Sequence, residues 1–279
     1  MPFVPLQVSP DDFAADPRLA PFANVRDRDL ARDDGAFVAE GEVVLRVLVD
    51  SPYRVRALLL AEGRDATLAP LLGPYFARNP DVPAYVVRQA VMDAVVGFPI
   101  HRGILAVAER PVLASADECL ARHCAGEPTL ALGLVGIANH DNVGGIFRNA
   151  AAFGVRAALL DGATCDPLYR KALRVSVGGV LRVPYARSED GEGVVRAFES
   201  RGFEVISLSP SGSHELEDLP PHPRRALLLG AEGPGLPERI LATTRAVRIP
   251  MADGFDSLNV ATTSGIALHA LRSRRRAVQ

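Results

Sequence analysis

Three polar turns in the C-terminal half of this chain carry side chains that could do chemistry. They read Asn142-Val-Gly-Gly-Ile-Phe-Arg148, Gly230-Ala-Glu-Gly-Pro-Gly-Leu236 and Ile249-Pro-Met-Ala-Asp-Gly-Phe-Asp-Ser-Leu-Asn259. Each follows an apolar, strand-like run. In the second turn, Gly230, Gly233 and Gly235 would let backbone amides approach a ligand that side chains would block. It is not a dinucleotide fingerprint, because the G-x-G-x-x-G spacing is missing, and no Gly-Lys-Ser/Thr follows to make a phosphate loop. A plain glycine turn and a binding loop are both open, and Glu232 is either a solvated carboxylate or a partner for a cation. In the first turn Asp141 or Asn142 can cap a helix, which places Arg148 one to two turns in. Its neighbours Ile146, Phe147, Ala150 and Phe153 are apolar, so the guanidinium is expected in a largely buried stretch. There it would need a carboxylate or phosphate partner, a structural ion pair to Glu232 being one option. In the third turn Ser257 and Asn259 either cap the next helix or face one pocket together while Leu258 packs inward.

The elements that must position these turns alternate between strand and helix. Strands are expected at Leu130–Ile137, Ala157–Leu160, Glu204–Leu208, Ala226–Leu229 and Ala246–Ile249. Helices are expected at Val143–Phe153, Tyr169–Val175, Val194–Ser200, Pro237–Ala242 and Val260–Arg272. Runs such as Ala-Leu-Leu-Leu are apolar on both faces, the pattern of a mainly parallel sheet between helices. Ligands of such sheets sit outside the carboxyl ends of the strands, where all three turns fall. The N-terminal half reads as a smaller α/β domain. It has a helical pattern over Phe37–Val49, strands at Val55–Leu60, Pro83–Val87 and Gly103–Ala108, and a short helix over Gln89–Val96. The stretch before Phe22 is proline- and aspartate-rich and is expected to wrap a surface. Ser115 can cap a helix over Ala116–Cys124 before Gly126-Glu-Pro128 breaks the chain. This gives a first domain over 1–110, a linker over 111–128 and a second domain over 129–279.

The bulk numbers narrow the function classes. The 279 residues are 48% hydrophobic and 23% charged, with a net charge of −2, which is globular composition. No apolar run is long enough to span a bilayer, and the N-terminus lacks a signal-peptide layout, so a cytoplasmic protein is expected. Cys119, Cys124 and Cys165 lack the spacing of a zinc site, and no metal is expected. Lys171 is the only lysine. Arginine makes forked phosphate contacts that lysine cannot, but GC-rich coding gives the same skew. Arg26, Arg28, Arg32, Arg54, Arg56 and Arg64 cluster in the first half, and Arg272, Arg274, Arg275 and Arg276 crowd the C-terminus. The first group is either solvated surface or a set of phosphate contacts, and the second either charge favouring a helix C-terminus or a set of phosphate contacts.

Taken in order, the motifs resemble the SpoU–TrmH family, the RNA ribose 2′-O-methyltransferases of the SPOUT superfamily. The pattern N-x-G-x-x-x-R followed by A-x-x-F-G is present as Asn142, Gly144, Arg148, Ala150, Phe153 and Gly154. The pattern G-x-E-G-x-G-L is present as Gly230, Glu232, Gly233, Gly235 and Leu236. The third is present as Ile249-Pro-Met251 and Ser257-Leu-Asn-Val260, with Ala261 where many members carry serine. Phe37–Glu42 and His101–Val107 resemble the ends of the small substrate-binding domain that precedes many members. The resemblance implies S-adenosylmethionine as methyl donor, a homodimer and a C-terminal deep trefoil knot. It implies that Gly230, Ile249 and Leu258 line the cofactor pocket, and that Asn142, Arg148, Glu232, Ser257 and Asn259 are the functional polar positions. A guanidinium stays protonated, so Arg148 is read as binding a phosphate and stabilising the developing alkoxide, oriented by Glu232. The implied substrate is RNA, with ribosomal RNA favoured over tRNA by the extra N-terminal domain. Two rival readings are a catalytically idle RNA- or ribosome-binding module and a nicotinamide oxidoreductase. The second lacks the fingerprint glycines.

Overall fold

The computed structural model describes residues 3–23, 35–97, 99–254 and 257–275. Arg26, Arg28, Arg32 and Arg276 lie outside the described residues, as do the side chains of Arg274 and Arg275. The chain divides into two compact units, residues 1–111 with 168–181, and residues 112–167 with 182–279.

In the first unit the elements run β1 (Phe3–Pro5), β2 (Ala36–Glu40), α1 (Glu42–Val49), β3 (Val55–Ala61), α2 (Arg64–Arg78), β4 (Ala84–Val87), α3 (Gln89–Val96) and β5 (Ile104–Glu109). They form a mixed sheet in the order β1-β4-β3-β5-β2, with β1, β4 and β3 parallel and β5 antiparallel to both β3 and β2. Its core gathers Val38, Leu59, Val91, Leu105 and Val107 with Leu19 and Phe22 from the N-terminal stretch. Burying each large apolar side chain contributes about 1.5–3 kcal/mol. The expected helix over Phe37–Val49 is corrected: Ala36–Glu40 is a strand buried along its whole length, and the helix starts only at Glu42. Gly41 separates the two with φ +89°, a conformation L side chains rarely adopt. The N-terminal stretch does more than wrap a surface, since Phe3–Pro5 pairs with β4.

The second unit runs α4 (Ala116–His123), β6 (Thr129–Leu134), α5 (His140–Phe153), β7 (Ala158–Leu160), β8 (Tyr185–Arg187), α7 (Gly191–Glu199), β9 (Glu204–Leu208), β10 (His214–Glu215), β11 (Arg224–Leu229), α8 (Glu238–Leu241), β12 (Arg245–Arg248) and α9 (Val260–Arg275). All seven strands are parallel, in the order β10-β12-β9-β11-β6-β7-β8. Helix α4 begins at a full capping box, Ser115 with Glu118. One face of the sheet packs Ala131, Leu159 and Leu228 against Val194 and Phe198 of α7 and Ile240 of α8. On α5, Asn149 donates through Nδ2 to the Ala261 carbonyl at 2.7 Å and the Ser264 hydroxyl at 2.9 Å, which ties α5 to α9. The three cysteines are free thiols. Burial, then the nearby Asp166 charge, pushes Cys165 up to about 11, so it is protonated at neutral pH and a poor nucleophile.

The segment between β7 and β8 carries α6 (Arg170–Val175), and residues 168–181 belong to the first unit. Glu40, at the end of β2, is 5% exposed, and its carboxylate lies 3.6 Å from both Arg170 and Arg174. The carboxylate is thus within ion-pair range of two guanidiniums, which links the end of β2 to the returning helix.

Candidate active site

A cavity of 380 Å³ lies where the parallel strands of the second unit end. Its wall includes Leu208 at the end of β9 and Ser209 after it, the Gly230 turn after β11, Ile249 after β12, and Ser257, Leu258 and Asn259 before α9. The cause is topological: every strand runs the same way, so every following turn leaves at one edge.

The Gly230 turn is closed on itself. Gly235 donates its N–H to the Ala231 carbonyl at 3.0 Å. A Cβ on Gly230 would lie 2.4 Å from the Gly235 carbonyl carbon and the Leu236 nitrogen. Only glycine fits there, and the missing side chain leaves bare backbone in the cavity wall.

Asn259 joins the three turns. Its Oδ1 accepts from the backbone N–H groups of Ala261 at 3.0 Å and Thr262 at 3.2 Å, capping α9. A backbone N–H can only donate, so the amide orientation is fixed. Its Nδ2 then donates to Glu232 Oε1 at 3.0 Å and to Asn142 Oδ1 at 2.9 Å. The sequence left capping and pocket-facing roles open for Asn259, and the amide does both with opposite ends. Asn142 is 4% exposed, and its Nδ2 has no hydrogen-bond partner among the described residues. That is a buried donor, costly to leave unsatisfied. Thr263 adds a bond from Oγ1 to the Asn259 carbonyl at 2.8 Å.

Several sequence expectations need correction here. Helix α5 starts at His140, and its cap is Asn139, whose side chain accepts from the Asp141 N–H. Asn142 therefore sits inside the first turn. Arg148 is exposed, not buried. Its apolar neighbours Ile146, Phe147 and Ala150 occupy the inner face of α5, while the arginine faces out. Among the described residues it makes no ion pair with Glu232, whose carboxylate is held by Asn259 instead. Leu258 does not pack inward: it is 43% exposed and lines the cavity. Ser257, Ile249 and Gly230 line the cavity too, while Asn142 reaches it through Asn259. Arg272 donates to the Ala152 carbonyl at 3.2 Å, a contact between α9 and α5.

Sequence reasoning missed the support under the first turn. Asp161, 6% exposed, accepts from the Gly136 N–H at 3.0 Å, the Thr164 N–H at 2.8 Å and the Thr164 hydroxyl at 2.6 Å. Thr164 Oγ1, its one proton given to Asp161, accepts from the Ile137 N–H at 3.3 Å. This buried set fixes the loop that leads from β6 into α5. Its signal was an acidic residue and glycine directly after an apolar strand, Leu160-Asp161-Gly162. Ser209 and Thr263 were also missed, although both stand at ends of elements where a parallel sheet collects its ligand-facing groups.

Comparison with known proteins agrees with this geometry. Residues 129–269 match the model of the SpoU rRNA Methylase family. A Mycobacterium bovis protein described as an uncharacterized tRNA/rRNA methyltransferase is 38% identical over 268 residues, covering 91% of this chain and 88% of its own. Among solved structures, an AdoMet-bound rRNA methyltransferase from Sinorhizobium meliloti superposes with a TM-score of 0.81 at 21% identity, covering 98% of both chains. The SpoU methyltransferase AviRb from Streptomyces viridochromogenes, in complex with AdoMet, gives 0.77 at 21% identity, covering 93% of this chain and 98% of its own. The matched span holds all three turns and the whole parallel sheet of the second unit, and the chain belongs to the SpoU rRNA Methylase family of RNA methyltransferases.

Proposed function

We propose that this protein transfers a methyl group from S-adenosylmethionine to a ribose 2′-hydroxyl of RNA, with ribosomal RNA as the substrate. The observation that carries the reading is the Asn259 amide, which joins Asn142, Glu232 and the start of α9 beside the cavity. A site whose polar groups are already locked together can hold reacting atoms in alignment, and alignment supplies much of a transfer rate.

The cavity suits the cofactor. Leu208, Leu229, Ile249, Met251 and Leu258 offer apolar wall, the backbone at Gly230 offers hydrogen-bonding groups at close range, and Ser209, Glu232 and Ser257 supply polar ends. In this reading Gly230, Ile249 and Leu258 hold the cofactor largely through backbone atoms. When bound, it supplies an electrophilic methyl on a sulfonium. Glu232 places a carboxylate in the cavity wall, and Asn259 keeps that carboxylate in one position. Ser257 and Asn259 orient the ribose side of the site.

Arg148 has a different task. It lies six residues beyond Asn142 on α5, about 9 Å along the axis, exposed and without an ion pair among the described residues. An exposed, always-protonated fork fits a phosphate next to the reacting ribose and stabilises oxyanion charge there. It cannot serve as the base. The buried, unpartnered Nδ2 of Asn142 supports a ligand-facing role for that amide. The same reading includes a homodimer, a trefoil knot and a cytoplasmic location. Support for the knot is that α9 returns to pack on α5 after β12 has been placed two positions from β11 and three from β6 in the sheet. No helix among the described residues is long and apolar enough to cross a membrane.

The test is incubation with methyl-labelled S-adenosylmethionine and, separately, unmodified ribosomal RNA transcripts and bulk tRNA. Nuclease digestion then identifies the labelled nucleoside. Label in a 2′-O-methyl nucleoside from ribosomal RNA is the expected result. Label in a base, or only in tRNA, contradicts the finer reading. RNA bound without incorporation favours the idle binding module.

A further inference from the structure

The first unit has a cleft of its own. It measures 350 Å³ and lies between the loop that leads from α1 into β3 and the last turn of α2. Arg54, Arg78, Tyr53, Tyr75, Ser51 and Asn79 line it, and no carboxylate does. The tyrosines are fixed in place. Tyr53 packs edge-on against Phe37, with ring centroids 5.4 Å apart, and Tyr75 is 6% exposed with its ring against Phe76. Asn79 donates through Nδ2 to the Tyr75 carbonyl at 2.9 Å, which holds the end of α2.

The two arginines are exposed and act on one spot. Burial raises the Tyr75 phenol above its ordinary value, while the Arg54 and Arg78 charges pull it down. Both arginines line the same cleft as that phenol. Neither is well neutralised. Glu109 stands 3.6 Å from Arg54 and 3.5 Å from Arg56, so one carboxylate is shared by two cations. Arg78 donates through Nε to the Pro74 carbonyl at 3.3 Å, which cancels no charge. Elsewhere in the unit Arg18 and Arg46 already have close carboxylates, Asp16 and Glu42, each at 2.6 Å. A phosphate gains more from the cleft arginines than from those.

We propose that this cleft seats one RNA backbone phosphate between the Arg54 and Arg78 guanidiniums. Forked donors match phosphate oxygens. The proposal rests on RNA being the substrate.

The experiment uses the full chain with Arg54→Gln and Arg78→Gln together, and a fluorescein-labelled ribosomal RNA transcript titrated at several salt concentrations. Expected is binding weaker by about five- to tenfold at low salt, with a salt slope smaller by about one. The Arg54→Lys, Arg78→Lys pair should keep the slope while losing part of the affinity. S-adenosylmethionine affinity, read by calorimetry, should not change in either. If the glutamine variant melts like wild type and binds RNA with the same slope, the cleft proposal is wrong while RNA as substrate stands. If the wild-type chain binds no RNA, both fail. Saturable binding of AMP below about 1 mM, lost in the glutamine variant, would assign the cleft to a free nucleotide and overturn its RNA role.

Discussion

The two sheets of this protein use similar apolar strands but differ in direction, and the difference decides what each can hold. In the second unit seven strands run in parallel, so turns distant in sequence leave at one edge. Asn142, Glu232 and Asn259 come within hydrogen-bond distance there although 117 and 27 residues separate Asn259 from the other two. In the first unit β5 runs against its neighbours, so each edge mixes strand starts with strand ends. Arg54 and Arg56 at the start of β3 then meet Glu109 at the end of β5, and charge is partly cancelled where it gathers. A parallel sheet brings motif turns from distant parts of the chain to one site, while a mixed sheet of this kind brings opposite charges together at its edge.

Breaking the concentrated edge should cost most. Gly230→Ala places a Cβ against the backbone of Gly235 and Leu236, and relieving that contact must open the turn. Cofactor affinity by calorimetry should fall about 100-fold, consistent with about 1–3 kcal/mol of overpacking strain at the binding surface. An unchanged affinity would mean that the turn does not face the ligand. Next, Asn259→Ala removes the cap of α9 and both cross-turn bonds. A lost cap costs about 1 kcal/mol of stability, and freeing Glu232 should weaken cofactor binding about tenfold. A melting temperature and affinity equal to wild type would show that the network is incidental. The smallest effect belongs to the first unit. Glu40→Gln removes the charge between Arg170 and Arg174, both partly exposed, so the loss should be about 1–2 kcal/mol rather than that of a fully buried pair. It should lower the melting temperature by a few degrees and leave cofactor affinity alone. A change in affinity would contradict the separation drawn between the two regions.

Much of the second unit was readable in the sequence because its signals are local. The apolar runs of β6, β9 and β11 and the start of α4 needed no tertiary information. β8 was missed because Tyr185–Arg187 is too short to show a period. α2 was missed because Pro70, Gly73 and Pro74 imitate a loop inside a helix of 15 residues. Ala36–Glu40 was read as helix because Val38 matched the spacing of Val44, Leu45 and Leu48, although Gly41 breaks the two apart. At the site, the turns and their polar residues were readable, but the bonding was not. Nothing in spacing shows that Asn259 offers one end to a helix and the other to two distant turns. Arg148 was misjudged because apolar neighbours in sequence were taken for neighbours in space. On a helix they face the core, while the arginine faces out.

The central claim is a division of labour, with the cavity holding the cofactor and Arg148 serving the RNA from outside it. Arg148→Ala, measured by single-turnover methyl transfer alongside calorimetry with S-adenosylmethionine, tests it most directly. Transfer should fall by about 100- to 1,000-fold or more, with cofactor affinity within about twofold of wild type. Single-turnover transfer retained at the wild-type rate, or cofactor affinity lost together with transfer, would contradict it.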